Sequence, residues 1–254
     1  MIWPKDIKLG WAMPLSWPYI NAMTHTSLLA ADRPDFVLLE AGRGGDVAEK
    51  RDTQVKMGMK EGCTHFILLD ADMIYPPTFL KDLFKTLDIH QAHMVGGLCF
   101  RGYEPYDPLI WDLDTENLLK PFDDYKFGDI VKAGATGAAC LLIKREVFEK
   151  LERPWFQIHQ EEKTVDGKNI VIRRGEDIYF TRKATTAGFK LLINTDYDIG
   201  HLREFAVDRH LWLTFGILNK VGNWDGLFKL LRKLDDKGWK ERELGVVNNQ
   251  KGGK

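Results

Sequence analysis

The chain has 254 residues, 44% hydrophobic and 29% charged, ordinary for a soluble globular protein and ample for one large α/β domain or two small ones. Its 36 basic and 37 acidic side chains nearly cancel, which excludes a global field that would gather nucleic acid. Cys63, Cys99 and Cys140 each lie in or beside an apolar run, so buried thiols in a reducing compartment are expected rather than disulfides or a metal site. With no basic-then-apolar leader at Met1 and no apolar run of spanning length, the expected location is cytoplasmic.

Ile7 to Met13 reads as a first strand, ended by Pro14, and Trp17 to Ala31 as a helix with Ser16 as N-cap and Pro18 in its first turn. Phe36 to Leu39 reads as a second, buried strand. It is closed by Glu40 and Gly42-Arg43-Gly44-Gly45, glycines that lack the G-x-G-x-x-G spacing of a dinucleotide fingerprint and suit a tight strand-to-helix turn. Asp46 to Glu61 follows as a mostly polar helix, with Val47, Val55, Met57 and Met59 as a partial apolar face. His65 to Leu69 is an apolar strand, too short and too tightly bounded for a helix. Two carboxylates stand at its end, Asp70 and Asp72, separated by Ala71. Pro76 and Pro77 then open a helix to about Leu87. Three β-then-α units in succession predict a parallel sheet with right-handed crossovers.

His93 to Phe100 is a further strand, with Gly96-Gly97 inside it. From Arg101 to Asp129 prolines 105, 108 and 121 predict an irregular excursion. A short hairpin is expected within it, Leu109 to Leu113 against Leu118 to Phe122, either covering a substrate or forming a plain surface loop. Gly134-Ala135-Thr136-Gly137 allows a ligand or another backbone to approach closely, and Ala138 to Ile143 is strand-like. Arg145 to Leu151 reads as a short helix and Glu161 to Gly167 as a polar, mobile loop. Gly175-Glu176-Asp177 precedes an amphipathic helix, Ile178 to Ala187, with Gly188 as its C′ residue. A strand from Gly188 to Asn194 is closed by Asp196, Asp198 and Gly200-His201. The rest, from Glu204, reads as helical. A first segment is apolar on most sides (Phe205, Leu211, Trp212, Phe215), and a second is amphipathic and partly basic (Leu227, Leu231, Lys229, Arg232, Lys233). The tail from about Gly245 is polar and expected to be disordered. No internal repeat is visible.

In an open α/β sheet, ligands collect outside the carboxyl ends of strands. Asp70 and Asp72 there form a hard-oxygen pair suited to Mg²⁺ or Mn²⁺ bridging to a phosphate. Each feature alone has a plainer reading: Asp72, Thr78 or Asp177 as a helix cap, His201 as a structural imidazole. Their order points further. An acid pair holds a divalent ion on a diphosphate, an imidazole completes its coordination, and a carboxylate at a later helix start removes a proton from an attacking hydroxyl.

With these residues in view, the chain resembles the nucleotide-sugar-dependent glycosyltransferases of the GT-A fold, particularly the inverting, family-2-like group. The resemblance spans about Ile7 to Arg203 and is carried by Phe66 to Asp72, Gly134 to Phe148, Gly175 to Phe180 and Ile199 to His201. Arg51-Asp52 looks like the family's Arg-Asn step, with Asp in place of Asn. The resemblance implies an α/β, Rossmann-like, mostly parallel sheet flanked by helices, with a C-terminal helical extension. Residues 1–203 would be the catalytic domain, its donor-binding half about 1–100 and its acceptor and catalytic half about 101–203. Helices over 204–244 would pack on it, and 245–254 would be the tail.

It also implies roles. Asp72 would ligate Mn²⁺ or Mg²⁺, Asp70 would contact the donor ribose or reach the metal through water, and His201 would be the late metal ligand. Met13, Pro14, Glu40 and Arg51 would surround the nucleobase and ribose, with Ala71 between the donor-site acids. The usual acid-plus-serine pattern at Glu40 is missing. Thr136 and Gly137 would border the sugar, Asp177 would be the general base with Glu176 beside it, and Arg101 or Arg203 would add positive charge at the diphosphate. The implied donor is a UDP- or GDP-sugar and the acceptor a glycan, lipid-linked or protein hydroxyl.

Two other readings stay open on the sequence. Leu68 to Ile74 also suits an Asp-X-Asp phosphohydrolase loop with Asp70 as nucleophile, and a decayed transferase would hold a nucleotide sugar without turning it over. Trp212, Trp224 and Trp239 beside Lys229, Arg232 and Lys233 raise peripheral membrane contact by the C-terminal helices, against the alternative that they pack on the sheet.

Overall fold

Strands and helices alternate through the first hundred residues much as the apolar runs dictate. The computed structural model describes residues 3–4, 6–15, 20–39, 45–103, 106–114, 119–165, 168–203 and 206–220. In chain order the elements are β1 (Leu9–Ala12), α1 (Ala22–Ala30), β2 (Phe36–Leu39), α2 (Val47–Lys60), β3 (His65–Leu69), β4 (Met73–Ile74), α3 (Phe79–Ile89) and β5 (Met94–Cys99). They continue as β6 (Ile110–Leu113), β7 (Leu119–Pro121), β8 (Ile130–Ala133), β9 (Ala135–Thr136), β10 (Cys140–Lys144) and α4 (Arg145–Lys150). The last are β11 (His159–Val165), β12 (Lys168–Arg174), α5 (Glu176–Thr186), β13 (Leu191–Leu202), β14 (Ala206–Val207) and α6 (Arg209–Lys220).

Among the described residues these strands build one nine-stranded sheet with the path β14-β13-β5-β10-β3-β1-β2, β4 and β8 pairing β13 from the side. β2, β1, β3, β5 and β13 run in one direction, and β10, wedged between β3 and β5, runs against them. The sheet is therefore mixed rather than mostly parallel: β10 in its centre and β4, β8 and β14 beside β13 all run against the other five strands. Side chains alternate between two cores. Phe66, Leu68, Leu141 and Ile143 face α2, α4 and α5, while Ile67, Leu69, Cys140 and Leu142 face α1 and α3. Both faces of β3 are buried, which is why its sequence is a continuous apolar run.

Several boundaries differ from the sequence reading for identifiable reasons. The first helix begins at Ala22 rather than Trp17, because Asn21 caps it by accepting from the Met23 N–H at 2.8 Å; residues 16–19, with the expected Ser16 cap, lie outside the described residues. β2 is not a buried strand. It is the sheet edge, and Phe36 and Leu38 are 42% and 54% exposed. Pro76 and Pro77 precede α3 instead of opening it, and Thr78 is the N-cap. The hairpin of β6 and β7 is present in the expected register region, Trp111 opposite Pro121.

Of the polar loop expected at Glu161 to Gly167, residues 161–165 instead belong to a two-stranded ribbon, β11 against β12 from His159↔Arg174 to Val165↔Lys168, and 166–167 lie outside the described residues. Asp166-Gly167 in the sequence is a dipeptide of the kind that favours a two-residue hairpin connection. β4 and β8 had no strand-like run of their own. α5 starts two residues early, at Glu176 with Gly175 as N-cap, and Gly188 follows its C-cap at φ +94°. β13 does not stop before Asp196. A register shift between Asn194 and Asp198 carries it on to Leu202. After Arg203 the chain forms β14 before any helix, with His201 opposite Val207. In α6, Trp212 lies 5.7 Å from the Phe100 ring and Leu213 is buried in the sheet's core. The second amphipathic segment, Trp224, Trp239 and the tail lie outside the described residues, and no helix among those described is long and apolar enough to cross a membrane.

Candidate active site at the carboxyl ends of the strands

From β1 the chain goes first to β2 on one side and then to β3 on the other, so the crevice beyond these strand ends is a topological switch point. Met13 and Pro14 leave β1 there, next to Asp70-Ala71-Asp72 leaving β3. The start of β10 lies at the same end because that strand is antiparallel, and it brings Gly137, Ala138 and Ala139 alongside. Glu40, the remaining sequence candidate on this side, lies outside the described residues.

The turn after β3 is held from beneath by Tyr75, which the sequence reading passed over. Its buried hydroxyl accepts the Asp70 N–H at 3.0 Å and lies 2.8 Å and 2.9 Å from the carbonyls of Asp70 and Ala139. A tyrosine five residues past an acid carries no sequence signal of that role. β4 then pairs with β13, setting His201 opposite Met73, and the Leu202 N–H donates to the Asp72 carbonyl at 2.7 Å. Those backbone pairings bring the two distant halves of the chain together: His201 Nε2 stands 3.3 Å from Asp72 Oδ2.

The other imidazole nitrogen, Nδ1, lies 3.0 Å from the Phe100 carbonyl. A carbonyl only accepts, so Nδ1 carries the hydrogen and in the neutral ring Nε2 turns its lone pair toward the carboxylate. Two acceptors face each other, an arrangement that a cation between them satisfies. Among the described residues no third His, Cys, Asp or Glu joins them in a group that could hold a metal. Two protein donors with the remaining positions left to phosphate oxygens is how Mg²⁺ and its analogues are commonly bound, so the donor set fits such an ion. Arg203 Nη1 is the second partner of the same Asp72 oxygen, at 2.7 Å. Burial pushes the Asp72 carboxyl up, but hydrogen bonds and charge from His201, in its protonated form, and from Arg203 outweigh it and hold the pKa below its ordinary value.

Asp70 belongs to a different group. Its Oδ1 accepts from Arg51 Nη2 at 2.6 Å, and Arg51 Nε lies 3.3 Å from Glu176 Oε1. The Arg51 side chain is only 2% exposed. It sits under the site, tying α2 to the end of β3 and the start of α5. Burial raises the Asp70 carboxyl despite the pull of Arg51, with Asp177 and Asp72 adding to the rise. Glu176 is pushed up to about 7, chiefly by burial and then by the Asp177 charge, against Arg51.

Asp177 points the other way. Its Oδ1 accepts the Ile178 N–H at 2.8 Å, and its Oδ2 accepts the Ala138 N–H at 3.3 Å. Gly137 lies beside that carboxylate, and a Cβ there would stand 3.4 Å from Oδ2, an ordinary contact distance. Thr136 is buried and its hydroxyl donates to the Leu109 carbonyl at 2.7 Å. Arg101 packs on the Tyr103 ring at 5.3 Å and lies 3.9 Å from Asp107. Of the two arginines singled out in the sequence, Arg203 is the one on Asp72.

No family model matches the chain, and no curated protein matches it. Among solved structures it is similar to A197 from STIV, with a TM-score of 0.54 and 17% identity over 78% of this chain and 86% of A197. It is also similar to GalNAc-T7, whose crystal structure is with UDP, GalNAc and Mn²⁺. There the TM-score is 0.52 and the identity 14%, over 91% of this chain and 51% of GalNAc-T7, so the chain spans about half of that protein. The large central sheet flanked by helices makes this a mixed α/β protein whose fold is similar to that of the GT-A glycosyltransferases.

Proposed function

We propose that the chain transfers a sugar from a UDP- or GDP-sugar to a hydroxyl of a glycan, lipid-linked or protein acceptor, with inversion and with Mn²⁺ or Mg²⁺. The observation that carries this reading is the approach of His201 to Asp72, 129 residues apart in sequence and 3.3 Å apart in space, at the sheet end where Asp177 also lies. The similarity to GalNAc-T7, described with UDP, GalNAc and Mn²⁺, supports the donor class and the metal. It also favours a transferase over a phosphohydrolase built on Asp70.

In this reading Asp72 and His201 would hold the divalent ion, and Asp70 would reach it through water or contact the donor ribose. When bound, such an ion stabilises the negative charge that develops on the departing diphosphate, by several kcal/mol. Met13, Pro14 and Ala71 line the donor's path, and Thr136 and Gly137 border the sugar. Asp177 takes the proton from the acceptor hydroxyl through Oδ2, the oxygen less tightly held by backbone. A base so placed contributes about 10²- to 10⁴-fold. Attack from the face opposite the diphosphate inverts the anomeric carbon.

A thermal-shift screen of nucleotide sugars with and without Mn²⁺ identifies the donor. With that donor, Asp72→Ala is expected to lose both metal-dependent donor hydrolysis and transfer, while Asp177→Asn keeps the donor-induced shift and slows transfer about 10²- to 10⁴-fold. Transfer at the parent rate by Asp177→Asn would remove the base from Asp177: either another group takes the proton or the mechanism retains.

A further inference from the structure

We infer that Arg203 is a built-in counter-ion of the metal site, occupying Asp72 until a divalent cation displaces it and then serving the donor's diphosphate. The inference rests on the proposed metal reading and adds to it a residue that sets the order of binding. Asp72 Oδ2 is shared: His201 Nε2 is 3.3 Å away and Arg203 Nη1 2.7 Å away. A divalent ion on that oxygen would stand against a guanidinium, two cations on one acceptor, and the arginine, which is always charged, cannot yield by losing a proton.

The arginine is held close whether or not it stays on Asp72. Its Nε donates to the Gly102 carbonyl at 3.2 Å and its Nη1 to the Leu202 carbonyl at 3.1 Å. Space for it is reserved, since a Cβ on Gly102 would come within 2.6 Å of both Nε and Nη2. Half exposed and anchored through neutral carbonyls, the guanidinium can turn to follow the nearest anion. With a cation on Asp72, that anion is the diphosphate. Arg101, the other arginine of this region, pairs with Asp107 and packs on Tyr103, so nothing else in the described residues is placed to do the same on Asp72.

The test is titration of Mn²⁺ into the whole protein, with free ion read by its paramagnetic resonance signal, first alone and then with UDP or GDP present. Without nucleotide, Arg203→Gln is expected to bind Mn²⁺ roughly fivefold more tightly than the parent, the upper end of what an exposed ion pair contributes. With the nucleotide the gain should vanish or reverse, because the parent then uses Arg203 on the diphosphate. Arg203→Lys, which keeps the charge, should stay near the parent. Equal or weaker Mn²⁺ binding by Arg203→Gln in the absence of nucleotide overturns the inference. Asp72→Ala separates the two layers: if it abolishes Mn²⁺ binding while Arg203→Gln changes nothing, only the arginine's role falls. If Asp72→Ala binds as the parent does, or the parent binds no Mn²⁺ even with nucleotide, the metal reading itself falls and the inference with it.

Discussion

Arg51 is where the chemistry of a single side chain decides most. A guanidinium inside a protein is tolerated when carboxylates surround it, and here Asp70 and Glu176 do so from two different elements. Its Nε and Nη1 have no hydrogen-bond partner among the described residues, so the hold is mainly one short bond and charge. Replacing it by Met would leave two carboxyls facing an apolar side chain. The expected loss is about 3–5 kcal/mol in urea unfolding, the range for breaking a buried pair. Arg51→Lys should recover only part, because a point charge on a flexible stem cannot serve both acids. Glu176 adds a pH dependence of definite sign. Its carboxyl sits at about 7 in the fold against an ordinary 4.5, so the folded state holds this proton more tightly. Its stabilising contribution is complete below about 4.5 and is lost as pH rises through about 7. In thermal unfolding at a series of pH values, Glu176→Gln is therefore expected to flatten the decline over that window. The resemblance places Glu176 beside the base Asp177 and sets Arg51 around the nucleobase and ribose, so the ion pair between Arg51 and Glu176 is not expected from the sequence. Which neighbour of a carboxylate is buried depends on the packing above it, and no local pattern records that.

At the scale of elements, legibility followed burial on both sides. β3 was read to the residue because it is apolar on both faces and bounded by polar turns. The β11–β12 ribbon, pairing only with itself among the described strands, has no such run, and most of β11 reads as a polar loop. β4 and β14 exist because β13 outlasts its expected end, and their two residues each cannot announce themselves. The partners of Asp72 were legible as residues, through their order along the chain, whereas the pairing that brings them together was not. α2 shows the opposite case, a polar helix fixed by a small residue. Gly58 packs directly on the sheet, and a Cβ there would lie 2.4 Å from Phe66 Cε1 and 3.0 Å from Leu39 Cδ1. Phe66 is fully buried and meets Phe148 edge-on at 5.0 Å, so its ring cannot retreat. Gly58→Ala would gain about 1 kcal/mol of helix propensity and lose about 1–3 kcal/mol to overpacking. The strain is expected to win, lowering the urea midpoint, and Gly58→Val should lower it further.

For the whole molecule the question is where the folding unit that carries the proposed site ends. The sequence places that limit near Arg203, where the resemblance stops. Yet the next ten residues contribute to the same interior. β14 pairs with the end of β13 at His201, Val207 is fully buried, and Leu213 lies in the core that Phe66 and Phe180 share. α6 is fixed at its start by Asp208, whose carboxylate accepts the Leu211 N–H at 3.0 Å, and Trp212 covers Phe100, whose carbonyl orients His201. Burying Val207 and Leu213 is worth about 1.5–3 kcal/mol each, against a net stability of about 5–15 kcal/mol for a domain. A chain cut after Arg203 would lose a large part of that margin and would leave the strand edge beside His201 unpaired. Thermal unfolding should show the shortened protein melting far below the full chain, with Mn²⁺ no longer bound. If instead it melts where the full chain does and still binds the ion, β14 and α6 are an appendage and the catalytic unit is complete at Arg203.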